Sequence, residues 1–386
     1  MAQTWLVSDR KLRWARIADR VLAPFLPTLR WVMPPRVQRS EQPERILVSE
    51  LWHIGDIVIA MPFLAALRDR FPSARITLLS KAHARDILAG SDLVDDVITF
   101  DLPWTFLEED KRLHGRWILG VPGLVRRLRR EQFDIAFDCS RDGRNHLLLF
   151  LSGAARRVGF DFGGGASLLT DPVPVGSLEQ HRTADWLRLL EAVGANAASH
   201  QARLSVSGAE RARARELLQH AGFAEDDFLV AIHPGGSSRL KRWRLEHFEA
   251  LAASAATEFG ARVLWLVDPK GTGADATLPE GSIRVRPGSL RELMALLSCS
   301  TLLVCNDGGP MHLAAALGVP TLGIYSWGKP EWWRPVGAGR HTWVQRTDIS
   351  CRPCAGHCIF NEPICLTGLS LETVRDALRA ELTAIR

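Results

Sequence analysis

Residues 45–71 read RILVSELWHIGDIVIAMPFLAALRDRF. Arg45 to Leu51 is a short, mostly apolar run, the pattern of a strand buried on both faces. Ile57 to Phe71 then places Leu64, Leu67 and Phe71 at helical spacing. Between them lies Trp52-His53-Ile54-Gly55-Asp56, where Gly55 permits a tight backbone turn. Strand, short loop and helix in that order begin a βαβ unit.

The same rhythm continues outward. Strand-like runs follow at Arg75–Leu79, Val97–Phe100 and Asp134–Asp138, with helical segments between them. Residues near 160–182 are rich in Gly and Pro and cannot be helix interior. After a helix at about Thr183–Val193 the alternation restarts. Phe228–His233, Arg262–Val267, Thr301–Cys305 and Thr321–Tyr325 read as strands, and Leu245–Phe259, Leu290–Ser298 and Pro310–Leu317 as helices. The expected class is α/β, with two doubly wound parallel-sheet domains. Residues 45–205 form the first and residues 206–368 the second; residues 1–44 are an extension. A last helix, residues 369–386, is expected to pack back on the first domain. Ligands in open α/β sheets bind at the carboxyl ends of strands, so the strand-end loops are expected to face a cleft.

Three loops carry chemistry. In the first, Asp56 reads either as a helix cap, worth about 1 kcal/mol, or as a general base that takes a proton from an attacking hydroxyl. The second, His233-Pro234-Gly235-Gly236-Ser237-Ser238-Arg239-Leu240-Lys241-Arg242-Trp243, combines glycines, hydroxyls and cations ahead of a helix. That combination suits a diphosphate, although a basic surface loop would look similar. The third, Asn306-Asp307-Gly308-Gly309-Pro310-Met311-His312, puts free N–H groups at a helix start, with Pro310 fitted to a first helical position. His312, one turn on, points to the same place or packs between helices. Asp307 caps the helix or binds a hydroxyl. No paired-carboxylate metal site and no Gly-Lys-Ser/Thr phosphate loop occur in these segments, so neither catalytic Mg²⁺ nor P-loop kinase chemistry is expected.

These motifs add up to a resemblance. GDIVIAMPFLAALRDRFPSARITLLS resembles the N-terminal signature of the ADP-heptose:lipopolysaccharide heptosyltransferases, glycosyltransferase family 9. HPGGSSRLKRWRLEHFEAL and LLVCNDGGPMHLAAALGVPTLGIY resemble its two C-terminal signatures, in the right order. The resemblance spans roughly residues 45–380. It implies the two-Rossmann GT-B fold and a metal-independent transfer that inverts the anomeric carbon. By it, Asp56 is the catalytic base. Ser237, Ser238 and Lys241 bind the donor phosphates, and Asp307, Gly308, Gly309 and His312 form the donor-site loop. The turn Asp268-Pro269-Lys270-Gly271 departs from the family pattern and makes Asp268 a candidate ribose ligand.

The implied function moves a heptose or related sugar from ADP-heptose or a similar nucleotide sugar to a lipopolysaccharide core or other envelope acceptor. The partners are then a nucleotide-sugar donor and a lipid-linked saccharide. A GT-B sugar-nucleotide epimerase and a non-catalytic envelope scaffold are the alternatives.

The remaining features bound this reading. Forty-eight Lys and Arg against 43 Asp and Glu leave a charge of +5, which suits phosphates, nucleic acid or acidic membranes. No nucleic-acid recognition module is apparent, so no nucleic acid is expected. The chain has no run of the ~18–20 apolar residues that span a bilayer and no signal peptide, the expectation for a cytoplasmic protein. In the extension, Trp14, Ile17, Ala18, Val21, Leu22 and Phe25 recur at helical spacing, with Arg13, Arg16 and Arg20 off that stripe. Such a helix lies in a membrane interface, here the inner face of the cytoplasmic membrane, or docks on protein. Cys351, Cys354, Cys358 and Cys365 form one cluster, which in a reducing compartment reads as a structural Zn or Fe site before disulfides. No cofactor is expected for catalysis.

Overall fold

The computed structural model describes residues 17, 19–21, 24, 42–105, 117–176, 180–195, 200–351 and 358–386. The chain divides into two compact units, Met1–His200 and Gln201–Arg386. Most of the basic extension lies outside the described residues. Of its stripe, Ile17 and Val21 are exposed. Asp19 accepts from the Ala166 N–H (3.1 Å) and the Ser167 hydroxyl (2.8 Å).

The first unit is built on a six-stranded parallel sheet. Its strands are β1 (Arg45–Ser49), β2 (Arg75–Ser80), β3 (Asp96–Thr99), β4 (Ile135–Asp138), β5 (Arg156–Phe160) and β6 (Asp171–Val173), in the order β3-β2-β1-β4-β5-β6. The first crossover helix, α1 (Ile54–Arg70), buries residues on every side, as a helix enclosed between a sheet and another helix must. Helices α2 (His83–Leu88), α3 (Trp117–Glu131), α4 (Gly143–Ser152) and α5 (Arg182–Glu191) complete the unit. The Thr183 hydroxyl donates to the Ile59 carbonyl (3.1 Å), pinning the start of α5 against α1.

The glycine-rich stretch turns back on the end of β4. Gly163, Gly164 and Gly165 all have φ near +80°, a region costly for other residues. A Cβ on Gly143 would lie 2.3 Å from the Gly164 carbonyl oxygen. Strand β6 forms inside the segment that the sequence excluded only as helix interior; it pairs in parallel with β5, and Arg156 meets Asp171 across that edge (2.8 Å).

The second unit repeats the plan with α6 (Gly208–His220), β7 (Leu229–His233), α7 (Leu245–Phe259), β8 (Arg262–Leu266), β9 (Ile283–Val285), α8 (Leu290–Leu297), β10 (Leu302–Asn306), α9 (Gly309–Ala316), β11 (Thr321–Tyr325), α10 (Pro330–Trp333), β12 (His341–Gln345), α11 (Ile364–Thr367) and α12 (Leu371–Ile385). Its sheet runs β12-β11-β10-β7-β8-β9, all parallel. Counted from the first strand of each unit, both sheets have the doubly wound order 3-2-1-4-5-6. Short strands β5, β6, β9 and β12 were absent from the sequence reading.

Helix α12 corrects one expectation. Its stripe of Val374, Leu378 and Leu382 is fully buried in the second unit's core with Phe248, Leu251 and Leu322. Arg379 pairs with Glu258 of α7 (2.7 Å), and Glu381 with Arg340 beside β12 (2.9 Å). At about 1.5–3 kcal/mol per buried aliphatic side chain, this stripe commits the helix to the second unit rather than the first. No described helix is long and apolar enough to cross a membrane.

Candidate active site

In a doubly wound sheet the crevice opens where the strand order reverses, between the first and fourth strands. That point is β1/β4 in the first unit and β7/β10 in the second. The loops singled out in the sequence leave three of these four strands.

In the first unit β1 ends at Ser49, and α1 starts at Ile54, with Asp56 in its first turn. His53, not Asp56, is the N-cap of α1; Asp56 is the third helical residue and closes a capping box, one of its oxygens accepting from the His53 N–H (2.9 Å). The side chain is nonetheless only half-buried. Capping and a role as base are therefore compatible.

Around it the structure gathers polar residues that the sequence reading missed. Glu50 is 1% exposed at the end of β1. At the end of β4, Asp138 and His146 form a fully buried pair (3.2 Å), and the Ser140 hydroxyl donates to both Asp138 oxygens (2.9 Å). Burial lifts the Asp138 carboxyl above its ordinary range although His146 and Ser140 pull it down. Burial pulls the His146 imidazole down, but Asp138 outweighs it and the net shift is upward. Arg182, at the first position of α5, is buried against Asp185 (2.9 Å) and within electrostatic reach of Asp56. Arg141 pairs with the same Asp185. Of these residues, the charged Glu50 and Asp138, each closing an apolar strand, were the visible signals.

In the second unit the two switch-point loops are joined by Asn306. Its Nδ2 donates to the carbonyls of Pro234 (2.8 Å) and Gly235 (3.0 Å), and its Oδ1 accepts from the Trp243 N–H (3.1 Å). A single buried amide thus fixes both ends of the 234–243 loop to the end of β10. Within that loop Ser237 is exposed and Ser238 half-buried. The Ser238 hydroxyl accepts from the Leu240 N–H (3.2 Å), starting a turn of 3₁₀ helix, Arg239–Lys241. The Lys241 ammonium reaches Asp307 (2.8 Å) and lies 5.3 Å from the centre of the Trp327 ring.

Gly308 is extended and caps α9, whose first residue is Gly309, so both offer backbone N–H groups at a helix start, as expected. His312 is buried on the same helix. Asp268, also buried, accepts from the Thr272 N–H (2.8 Å) and sits against Gly235. A Cβ on Gly235 would lie 2.7 Å from both Asp268 and His233, so only glycine fits this close approach. Burial pushes the His233 imidazole down to about 4 against the pull of Asp268, which keeps it neutral beneath the loop. The structure therefore brings Ser237, Ser238, Lys241, Asp268, Asp307, Gly308, Gly309 and His312 to one end of one sheet. Asp56 belongs to the other unit.

The cysteines are less gathered. Cys351 and Cys358 are half-buried, Cys365 packs in the apolar core on α11, and Cys354 lies outside the described residues. Among the described residues no three His, Cys, Asp or Glu side chains are placed to hold a metal ion.

Known proteins agree with this architecture. Residues 122–363, more than half of the chain, match the model of glycosyltransferase family 9 (heptosyltransferase). The lipopolysaccharide core heptosyltransferase OpsX of Haemophilus influenzae is 21% identical over 303 residues, covering 75% of this chain and 81% of OpsX. Among solved structures, a family 9 glycosyltransferase from Veillonella parvula superposes with a TM-score of 0.75 at 21% identity, covering 88% of this chain and 98% of that one. ADP-heptose lipopolysaccharide heptosyltransferase II of E. coli gives 0.69 at 20% identity, covering 88% and 99%. With its paired six-stranded parallel sheets of GT-B type, the chain belongs to glycosyltransferase family 9, the heptosyltransferase family, and is a glycosyltransferase.

Proposed function

We propose that this glycosyltransferase moves a heptose, or a closely related sugar, from ADP-heptose or a similar nucleotide sugar to a lipopolysaccharide core or other envelope saccharide. The observation that carries the reading is the second switch point. There Asn306 ties together two loops fitted to a diphosphate, one bearing Ser237, Ser238 and Lys241, the other Gly308 and Gly309.

The chemistry follows from the donor. An acceptor hydroxyl attacks the anomeric carbon as the bond to the nucleoside diphosphate breaks, which inverts configuration in a single displacement. Asp56 takes the hydroxyl proton; it stands half-exposed in the first turn of α1, at the carboxyl end of β1. Negative charge builds on the departing diphosphate and is met by the Lys241 ammonium, the serine hydroxyls and the N–H groups at the start of α9. Lys241 supplies the cation in this scheme, so no metal is assigned a step. Asp268, on the β8 turn against Gly235, is the candidate for the ribose hydroxyls, and Asp307 orients Lys241. A lipid-linked acceptor places the reaction at the inner face of the cytoplasmic membrane, with the basic extension as the contact.

Asp56→Asn is the direct test. General-base catalysis contributes typically 10²–10⁴-fold, so turnover of ADP-heptose with acceptor, followed by mass spectrometry of the product, should fall by about that factor. ADP affinity measured by calorimetry should stay unchanged. Near-normal turnover in a folded variant would remove Asp56 as base.

The cysteine cluster is proposed as a structural metal site. Cys351 and Cys358 are not in disulfides in the structure, and thiolates suit Zn or Fe. Cys365, however, is buried in the apolar core. Elemental analysis of the purified protein should find about one Zn or Fe per chain, lost in Cys351→Ser.

A further inference from the structure

The mechanism leaves one buried carboxyl beside Asp56 unused. Glu50 sits at the carboxyl end of β1, where its N–H donates to the Leu79 carbonyl (3.0 Å) and neighbouring Ser49 accepts from the Cys139 N–H (3.2 Å). The ends of β1, β2 and β4 are therefore level at this point. Glu50 is 1% exposed. Its Oε1 accepts from the Trp52 N–H (3.2 Å). Its Oε2 is buried and has no hydrogen-bond partner among the described residues.

The charged and titratable groups facing it come from three elements. Asp56 approaches from α1, Asp138 from the end of β4, and Lys81 from the end of β2. The Cys139 thiol, also at the end of β4, feels Glu50 as well. Lys81 is the single cation of this set, and its ammonium donates to the Thr105 carbonyl (2.6 Å).

We propose that Glu50 is a positioning residue for Asp56, acting as a neutral carboxylic acid beneath the 52–56 loop. Its carbonyl oxygen holds the Trp52 N–H, and that bond sets the path of the chain into the turn that carries the base. The neutral form is the one this surrounding tolerates. An ionised Glu50 would bury an oxygen with no donor and stand beside two other carboxylates. Burial and then the Asp56 charge drive the Glu50 carboxyl well above its ordinary range, against the Trp52 N–H. As pH rises and Glu50 finally ionises, repulsion from Asp56 should disturb the loop, so turnover should fall on the alkaline side. The inference rests on Asp56 being the base.

Glu50→Gln and Glu50→Ala separate the possibilities. Gln keeps the carbonyl and the neutral charge. Its kcat at neutral pH should stay within about twofold of wild type and lose the alkaline fall, while Ala should lower kcat by about tenfold or more, a barrier change of 1.36 kcal/mol per tenfold. ADP affinity should not change in either. Infrared difference spectra at neutral pH should show the carbonyl stretch of a protonated carboxyl in wild type that Glu50→Gln lacks, a readout independent of activity and of whether Glu50→Ala folds. The proposal fails if that band is absent. It also fails if Glu50→Gln shifts the acid limb of kcat downward, as loss of a negative neighbour would, or if Glu50→Ala turns over normally. Retained turnover in Asp56→Asn would take down the base reading with the band still present; a missing band with Asp56→Asn inactive takes down Glu50 alone.

Discussion

Replacing Asn306 by Ala tests whether the donor loops are held by one side chain. Asn306 is 2% exposed and makes three hydrogen bonds, to the Pro234 and Gly235 carbonyls and from the Trp243 N–H. At about 1 kcal/mol net each, their loss alone costs about 3 kcal/mol. Water reaching the orphaned groups would bring this to about 2, and groups left buried without a partner would raise it to about 5. The expected readout is a lower urea midpoint for the transition reported by Trp243 and Trp265, both buried in the second unit.

Binding should weaken as well, because ADP must then order a loop that the wild type already holds. If between half and all of the ~3 kcal/mol is returned on binding, affinity by calorimetry falls about tenfold to a hundredfold, at 1.4 kcal/mol per tenfold. Asn306→Asp is the sharper control. It keeps the acceptor for Trp243 but turns a carboxylate oxygen toward two carbonyls, and should be at least as damaging. A wild-type urea midpoint together with wild-type ADP affinity in Asn306→Ala would refute the reasoning.

Two further outcomes follow from ion pairs. Lys241→Met removes a charged donor worth about 1.5–3 kcal/mol, so ADP affinity should fall by on the order of 10–100-fold. It also strands the buried Asp307 carboxylate, so Lys241→Met/Asp307→Asn should recover stability without recovering ADP binding. Glu210, which accepts from Arg291 (2.6 and 2.8 Å) and the Ser207 N–H (2.7 Å), is drawn down to about 2, chiefly by Arg291. A depressed carboxyl adds stability that is full above its unfolded value near 4.5 and is lost as pH falls toward 2. The stability difference between wild type and Glu210→Gln should therefore shrink between pH 5 and 3; a pH-independent difference would remove the assignment.

The legible and illegible parts of this molecule divide by the range of the interactions that make them. Strands such as Thr321–Tyr325 and helices such as Leu245–Phe259 appear in the structure with the bounds read from sequence, because each is announced by a local run or period and closed by a local breaker. Gly260, with φ of 59°, is such a breaker at the end of α7. The missed strands β5, β6, β9 and β12 lie toward the sheet edges and are three to five residues long. Charged or polar residues such as Arg156, Arg157, His341 and Thr342 break up any apolar run in them, and they are strands only because a neighbour supplies the other half of the ladder. Helix α12 shows the same limit from the other side. The helix itself was expected from the sequence, but a helix with one apolar face says that the face is buried and not against what.

The site follows that division. Asp56, Lys241 and the Gly308–Gly309 pair were legible because a strand-end loop before a helix is itself a local pattern. Their supports were not. Asn306 is 63 residues from the Trp243 it holds and 72 from Pro234, and Glu50 meets Asp138 only through the β1–β4 register. These partners lie on strands adjacent in the sheet and distant in the chain, the arrangement that a switch point requires. The residues that position a switch-point site are therefore long-range by construction. In a fold of this class, polar residues that close an apolar strand, as Glu50, Asp138, Asn306 and Asp268 do, are where those supports should be sought.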